Sequence, residues 1–394
     1  MISVSQSQRF NAIDAVRGFC LLNIFVNHMP VGVLQLASVS NLGFSDSAEI
    51  FVFLAGVSMF LAYGRQDFSG IVASLWRRAA KLYRVNLLIL AVSLICLLIL
   101  ADVLGARNML DEQLLTTFAA KDPLTVAWHV LTLQQSIGYS TVLRLYIALS
   151  ILAPALIWLA ARRWWWPLPL AVAIWGLAGQ FHLVAHDSLT GAPLNLTILP
   201  WILIFTCGVA FGAGLRQGVP APKSPLLLGM ALTLVVGYLA LLYVLPFWPA
   251  GQAWVADRNA HFWLGDSKMY QSPLRVLHAL SVAYILVAYR DAPVLRLLHK
   301  IGPGNLLVRL GRRSLPVFTV GVLLAVPATE LIYAVNRTFG RGSPCAIALE
   351  IAFVGLGVAA MTLVADRRWP FGLGDMTARS VRTAPAAMEG AAGA

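Results

Sequence analysis

The chain has 394 residues, of which 59% are hydrophobic and only 12% charged, and its mean hydropathy is +0.76. About a quarter of the residues of an ordinary soluble domain are charged, so this composition excludes a soluble protein and reads as an all-α polytopic membrane protein filled by one integral domain. The net charge of +12 would point to nucleic acid in a soluble chain, but here it has to be read loop by loop.

Apolar runs of about 17 to 23 residues are read as membrane spans. Ten are present: Ala12–Leu34, Ser47–Tyr63, Val85–Leu104, Leu143–Ala161, Pro167–Val184, Ile198–Leu215, Leu226–Phe247, Leu274–Tyr289, Leu315–Val335 and Ala346–Ala365. With the N-terminus inside, the inner segments hold Arg9, then Arg65, Arg77, Arg78, Lys81 and Arg84, and later clusters such as Arg309, Arg312 and Arg313, twenty of the 29 basic residues in all. The outer loops hold six. This asymmetry predicts ten spans with both termini cytoplasmic, and it accounts for the positive charge without nucleic acid. Residues 1–366 form the expected transmembrane domain, and residues 367–394, rich in Ala, Gly and Thr, read as a flexible cytoplasmic tail.

The first span is the anomalous one. It carries Asp14, Arg17, Asn23, Asn27 and His28 inside otherwise apolar sequence. A charge near the bilayer centre costs at least about 2.5 kcal/mol, so such a residue is a functional candidate by default. Arg17 and His28 are eleven residues apart, three turns plus roughly 20°, which predicts one helix face with about 16 Å between them. Arg17 would then lie toward the inner side and His28 in the outer half. A neutral imidazole suits a general base and a guanidinium suits phosphate or carboxylate. The plainer reading is an Asp14–Arg17 ion pair with a hydrogen-bonded core histidine. Residues 1–38 also resemble a signal peptide in outline, with Leu36-Ala37-Ser38 as a cleavage site, but the polar residues within the apolar part argue against it.

The second span opens on Ser45-Asp46-Ser47-Ala-Glu49. Asp46 followed three residues later by Glu49 is a capping-box pattern, and the functional alternative is that one of these acids orients His28 or holds an acceptor hydroxyl. Two long outer loops, about residues 105–142 and 248–273, carry Trp128, Trp254 and Trp263 with Asp111, Glu112, Asp122, Asp257 and Asp266. They are read either as a substrate surface or as interfacial anchors. Cys20, Cys96, Cys207 and Cys345 are scattered, with neither disulfide nor metal spacing.

Arg17 and His28, with the blocks Asp14-Ala-Val-Arg17-Gly, Gly43-Phe44-Ser45-Asp46-Ser47-Ala-Glu49, Leu145-Tyr146, Arg275-Val-Leu-His278 and Gly311-Arg-Arg-Ser314-Leu-Pro, resemble the OpgC family, related to membrane acyltransferases of the acyltransferase 3 type. The resemblance implies transfer of a succinyl group from cytosolic succinyl-coenzyme A, a co-substrate rather than a resident cofactor, to hydroxyls of an osmoregulated periplasmic glucan. It makes His28 the base, with Asp46 and Glu49 as associated catalytic acids. Arg17, Arg275 and His278 would lie along the donor path, Arg275 being the candidate for holding a succinyl carboxylate. It places the chain in a bacterial inner membrane. O-acetylation of another envelope glycan, a transporter or flippase, and a non-enzymatic scaffold remain as competing expectations. The oligomeric state, a homo-oligomer included, is left open.

Overall fold

The structure is a computed structural model and describes residues 6–30, 33–36, 38–105 and 122–366. The expected tail 367–394, together with Arg107, Asp111, Glu112 and Lys121, lies outside the described residues. Ten helices of fourteen or more residues are present among the described residues. They are α1 (Gln6–Asn27), α2 (Ser47–Tyr63), α3 (Phe68–Leu104), α4 (Thr141–Arg162), α5 (Pro167–Gln180), α6 (Ile198–Arg216), α7 (Pro225–Val244), α8 (Pro273–Ala288), α9 (Ser314–Phe339) and α10 (Pro344–Asp366). Six of these helical regions are long and apolar enough to cross a membrane, while α2, α5 and α8 are apolar but shorter. No strand occurs among the described residues, only an isolated bridge between His186 and Pro193.

Apolar side chains gain little from leaving lipid for one another, so helices in a membrane hold together by close packing and polar contacts. Glycines supply the close packing. A Cβ on Gly56 of α2 would lie 2.2 Å from the Phe205 carbonyl oxygen of α6, and one on Gly208 would lie 2.0 Å from that of Phe53. The two backbones therefore touch at reciprocal positions. The short helix Leu306–Arg312 seats against α1 in the same way, with Gly18 under Leu307 and Gly311 under Asp14.

Two helices depart from the expected spans. The first helix begins at Gln6 and ends at Asn27, well short of Leu34. Pro30 disfavours helical backbone in the residue before it, and His28 and Met29 fold into a turn, their amides donating to the Phe25 and Val26 carbonyls. His28 therefore stands one residue past the helix end. The second is α3, 37 residues and about 55 Å long, of which the predicted span Val85–Leu104 is only the second half. Its first half packs along α4: Phe68 meets the Trp158 ring, and Ile71, Leu75, Ala79 and Leu82 are buried. Arg77, Arg78, Lys81 and Arg84 thus belong to a packed helix instead of a loop.

Candidate active site

The polar residues of α1 have structural partners. Asn23 accepts from the Val39 amide at 3.1 Å and donates to Ser38 Oγ at 3.3 Å. Asn27 Oδ1 accepts from Ser40 Oγ at 2.8 Å, and its carbonyl accepts from Gln35 Nε2 at 3.1 Å. These two amides staple the connection between α1 and α2 over the end of α1. That is where His28 sits.

His28 Nδ1 lies 2.7 Å from the carbonyl oxygen of Ile24. A carbonyl only accepts, so Nδ1 carries the proton of the neutral ring, and Nε2 keeps the basic lone pair. The backbone four residues earlier thus orients the imidazole. The sequence offers Asp46 or Glu49 for that role as the alternative to a capping box, and both form the capping box. Tyr139 flanks the ring, with centroids 4.6 Å apart, and its hydroxyl is lodged where a side chain at position 321 would otherwise be: a Cβ on Gly321 would stand 2.4 Å from it.

His28 is exposed into a cavity of about 50 Å³ that it lines with Asn23, Asn27, Asp46, Ser47, Tyr139, Thr141, Leu196 and Lys268. A water needs roughly 10–15 Å³ measured this way, so there is room for a few waters. The walls come from the ends of α1, α2 and α4 and from the loops that carry Leu196 and Lys268.

Behind Asp46 lies a buried ionic cluster. Asp46 caps α2, accepting from the Ala48 amide at 2.7 Å, and Glu49 accepts from the Asp46 amide at 2.9 Å, which completes the predicted capping box. Arg275 of α8 donates to Glu49 through Nε at 2.8 Å and Nη2 at 2.7 Å, reaches Asp46 at 3.3 Å through Nη2, and meets the Asp266 carbonyl through Nη1. Gln271 donates to Glu49 at 2.9 Å, and Lys268 holds Asp46 at 2.5 Å. Glu49 is wholly buried and its carboxylate is saturated. It locks α2 to α8.

His278, one turn after Arg275, faces the same helix end. Its Nδ1 pairs with Ser45 Oγ at 2.7 Å, and its Nε2 is buried without a hydrogen-bond partner among the described residues, pressed against Gly43. Neither His278 nor Arg275 lines the cavity.

Arg17 lies elsewhere, paired with Asp14 at 3.2 Å and hydrogen-bonded to Ser58 of α2. Arg78 of α3 bonds Tyr63 at the far end of α2, and its Nε, buried, finds no acceptor among the described residues. Other expected donor-side cations are engaged: Arg309 grips Asp366 through two contacts of 2.8 Å, and Arg312 meets Asn11 at 2.6 Å and Asp14 at 3.5 Å.

The loops beside the site are held under strain. Leu133, Leu196 and Gln271 have φ of 62°, 55° and 53°. Left-handed backbone costs a non-glycine residue about 1–2 kcal/mol. Arg144 at the start of α4 ties two of these segments together, donating to the carbonyls of Leu133, Gln134 and Asn195. Leu196 is thereby delivered to the cavity. Sequence reasoning did not single out Lys268, Tyr139 or Leu196, because irregular loops carry no periodic signal. Of the loop tryptophans, Trp254 donates to the Leu264 carbonyl and Trp263 to Gln180, both at 2.7 Å, while Asp122 caps the helix Pro123–Leu131.

A family model described as OpgC protein matches residues 9–369. No curated protein and no solved structure matches the chain. The chain belongs to the OpgC family, which makes it a transferase of the acyltransferase type, and its apolar helices make it a membrane protein.

Proposed function

We propose that this OpgC family member transfers an acyl group, succinyl in the first instance, from cytosolic acyl-coenzyme A to a hydroxyl of a periplasmic glucan, across ten spans with both termini cytoplasmic in a bacterial inner membrane. The observation that carries the reading is the His28 ring: Nδ1 is committed to the Ile24 carbonyl, and the residue lines a cavity that it shares with Asp46 and Lys268. An imidazole so fixed is a general base with its basic nitrogen, Nε2, toward the reactants.

In the proposed step Nε2 takes the proton of the sugar hydroxyl as its oxygen attacks the thioester carbonyl. The C–S bond breaks, and the His28 imidazolium returns that proton to the departing coenzyme A thiolate, which regenerates the base. Asp46 and Glu49 act by holding the α2 end and Lys268 in place, not by touching the ring. For the donor, Arg17 and Arg78 offer guanidinium groups between α1, α2 and α3, suited to phosphate or pantetheine amide oxygens. A direct transfer is favoured over an acyl-serine relay because the paired Ser45 and His278 are buried and do not line the cavity.

The test is His28→Ala in protein reconstituted into vesicles with acyl-coenzyme A and glucan. General base catalysis contributes about 10²–10⁴-fold, and a loss of that size with unchanged thermal stability is expected. Full activity in the variant would sink the proposal. A transporter would instead move glucan or an acyl carrier without consuming thioester, which the same vesicles report.

A further inference from the structure

We propose that Lys268 selects the donor: its ammonium holds the free carboxylate of a dicarboxylic acyl group while His28 acts on the acceptor hydroxyl. This rests on the acyltransferase reading above and assigns within it the part that distinguishes succinyl from acetyl.

Apart from His28, the charged side chains lining the cavity are Asp46 and Lys268. Sequence reasoning gave the carboxylate to Arg275, but that guanidinium is already committed to Glu49, Asp46 and the Asp266 carbonyl, with its side chain only 9% exposed. Lys268 differs on each count. Its side chain is 42% exposed, and it bonds Asp46 Oδ2 through one of the three N–H donors an ammonium carries. The remaining donors are available to an incoming anion. Asp46 meanwhile fixes where the ammonium stands.

The chemistry of the ligand suits this placement. In a succinyl thioester the carboxylate lies two methylenes beyond the reacting carbonyl, and His28 and Lys268 line one cavity, so both ends of the acyl group are proposed to meet that lining. An acetyl group has nothing to offer Lys268. No bond forms or breaks at the ammonium: the hydroxyl proton goes to His28, the new ester bond replaces the C–S bond, and Lys268 keeps its charge and protons throughout. The flanking geometry is also suited to a fixed acyl length, because the Lys268 loop is pinned by Gln271, which donates both to Glu49 and to the Lys268 carbonyl.

The test compares wild type, Lys268→Gln and Lys268→Arg, reconstituted in vesicles with purified periplasmic glucan and either succinyl- or acetyl-coenzyme A. Wild type is expected to prefer succinyl. In Lys268→Gln the ratio of kcat/KM for succinyl over acetyl should fall about tenfold, equivalent to about 1.4 kcal/mol, with the larger loss in KM for succinyl-coenzyme A. Lys268→Arg should keep the preference. Equal loss with both donors would overturn the proposal, since it would mean stabilisation of the transition-state oxyanion or support of Asp46. An unchanged ratio would overturn it as well. Wild type transferring acetyl as readily as succinyl would remove the selecting role while leaving the acyltransferase standing, and wild type transferring neither would remove both.

Discussion

Arg275→Met isolates the contribution of the buried ionic cluster. The native guanidinium lies 2.7–2.8 Å from Glu49 and 3.3 Å from Asp46, with Glu49 wholly buried. At an effective dielectric of about 20, one such contact has a Coulomb energy of about 6 kcal/mol, most of it offset by the desolvation of both ions. The loss on truncation comes from elsewhere. Asp46 keeps Lys268, whereas Glu49 keeps only the Gln271 and Asp46 N–H groups against a full buried charge. Breaking a buried pair in this way costs about 3–5 kcal/mol. With about 2 °C per kcal/mol for a chain of this size, the melting temperature in detergent should fall by about 6–10 °C. Pairing the change with Glu49→Leu removes the orphaned charge and should recover most of the loss. The reasoning is refuted if Arg275→Met melts within 2 °C of the parent, or if the double variant is no more stable than the single one.

Two further outcomes test the frame around the site. Gly43→Ala would put a Cβ 2.3 Å from the His278 ring, so the ring has to leave Ser45; overpacking of this kind costs about 1–3 kcal/mol, and His278→Ala in the same chain should restore the melting temperature. In the loop 181–197, burial works to raise the Asp187 carboxyl, but the amides of Leu189 and Thr190 and the His129 N–H that it accepts outweigh it and hold it below the usual carboxylate range. A depressed value contributes stability above about pH 4 that is lost as pH falls through the folded value. Asp187→Asn should therefore raise proteolysis of this loop at pH 7, with the gap to wild type closing below about pH 4, and a gap that persists in acid would exclude the pairing as its cause.

The segments that became helices were legible because lipid demands long apolar runs, and the capping box was legible because Asp46 and Glu49 stand at its fixed spacing. The first half of α3 was missed for a physical reason. Counting charge against apolar length treats Arg77, Arg78, Lys81 and Arg84 as a loop, yet Ile71, Leu75, Leu82 and Ile89 recur on one buried face, a 3.6-residue period that reports a packed helix whatever its other side carries. The Ile24 carbonyl could not be found by scanning side chains for a base and its acid, because the group that orients His28 is backbone. Lys268 and Leu196 are brought to the cavity by the Asp46 pair and by Arg144, contacts between segments distant in sequence.

This construction separates two kinds of residue that the sequence alone runs together. His28 and Lys268 line the cavity, and each is held there by one hydrogen-bonded partner, the Ile24 carbonyl and Asp46. Arg275 and Glu49 lie behind them, and Arg144 joins the loops beside them, all with saturated or multiply bonded side chains. Substitution in the first group should therefore abolish or redirect transfer at unchanged melting temperature, while substitution in the second should lower both together, since a misplaced base loses rate as its scaffold loosens. The charges at this end of the bundle form one arrangement with two roles. Arg275 with Glu49 holds α2 against α8, and Asp46 with Lys268 places a cation in the cavity that His28 lines, where it is proposed to meet the acyl carboxylate.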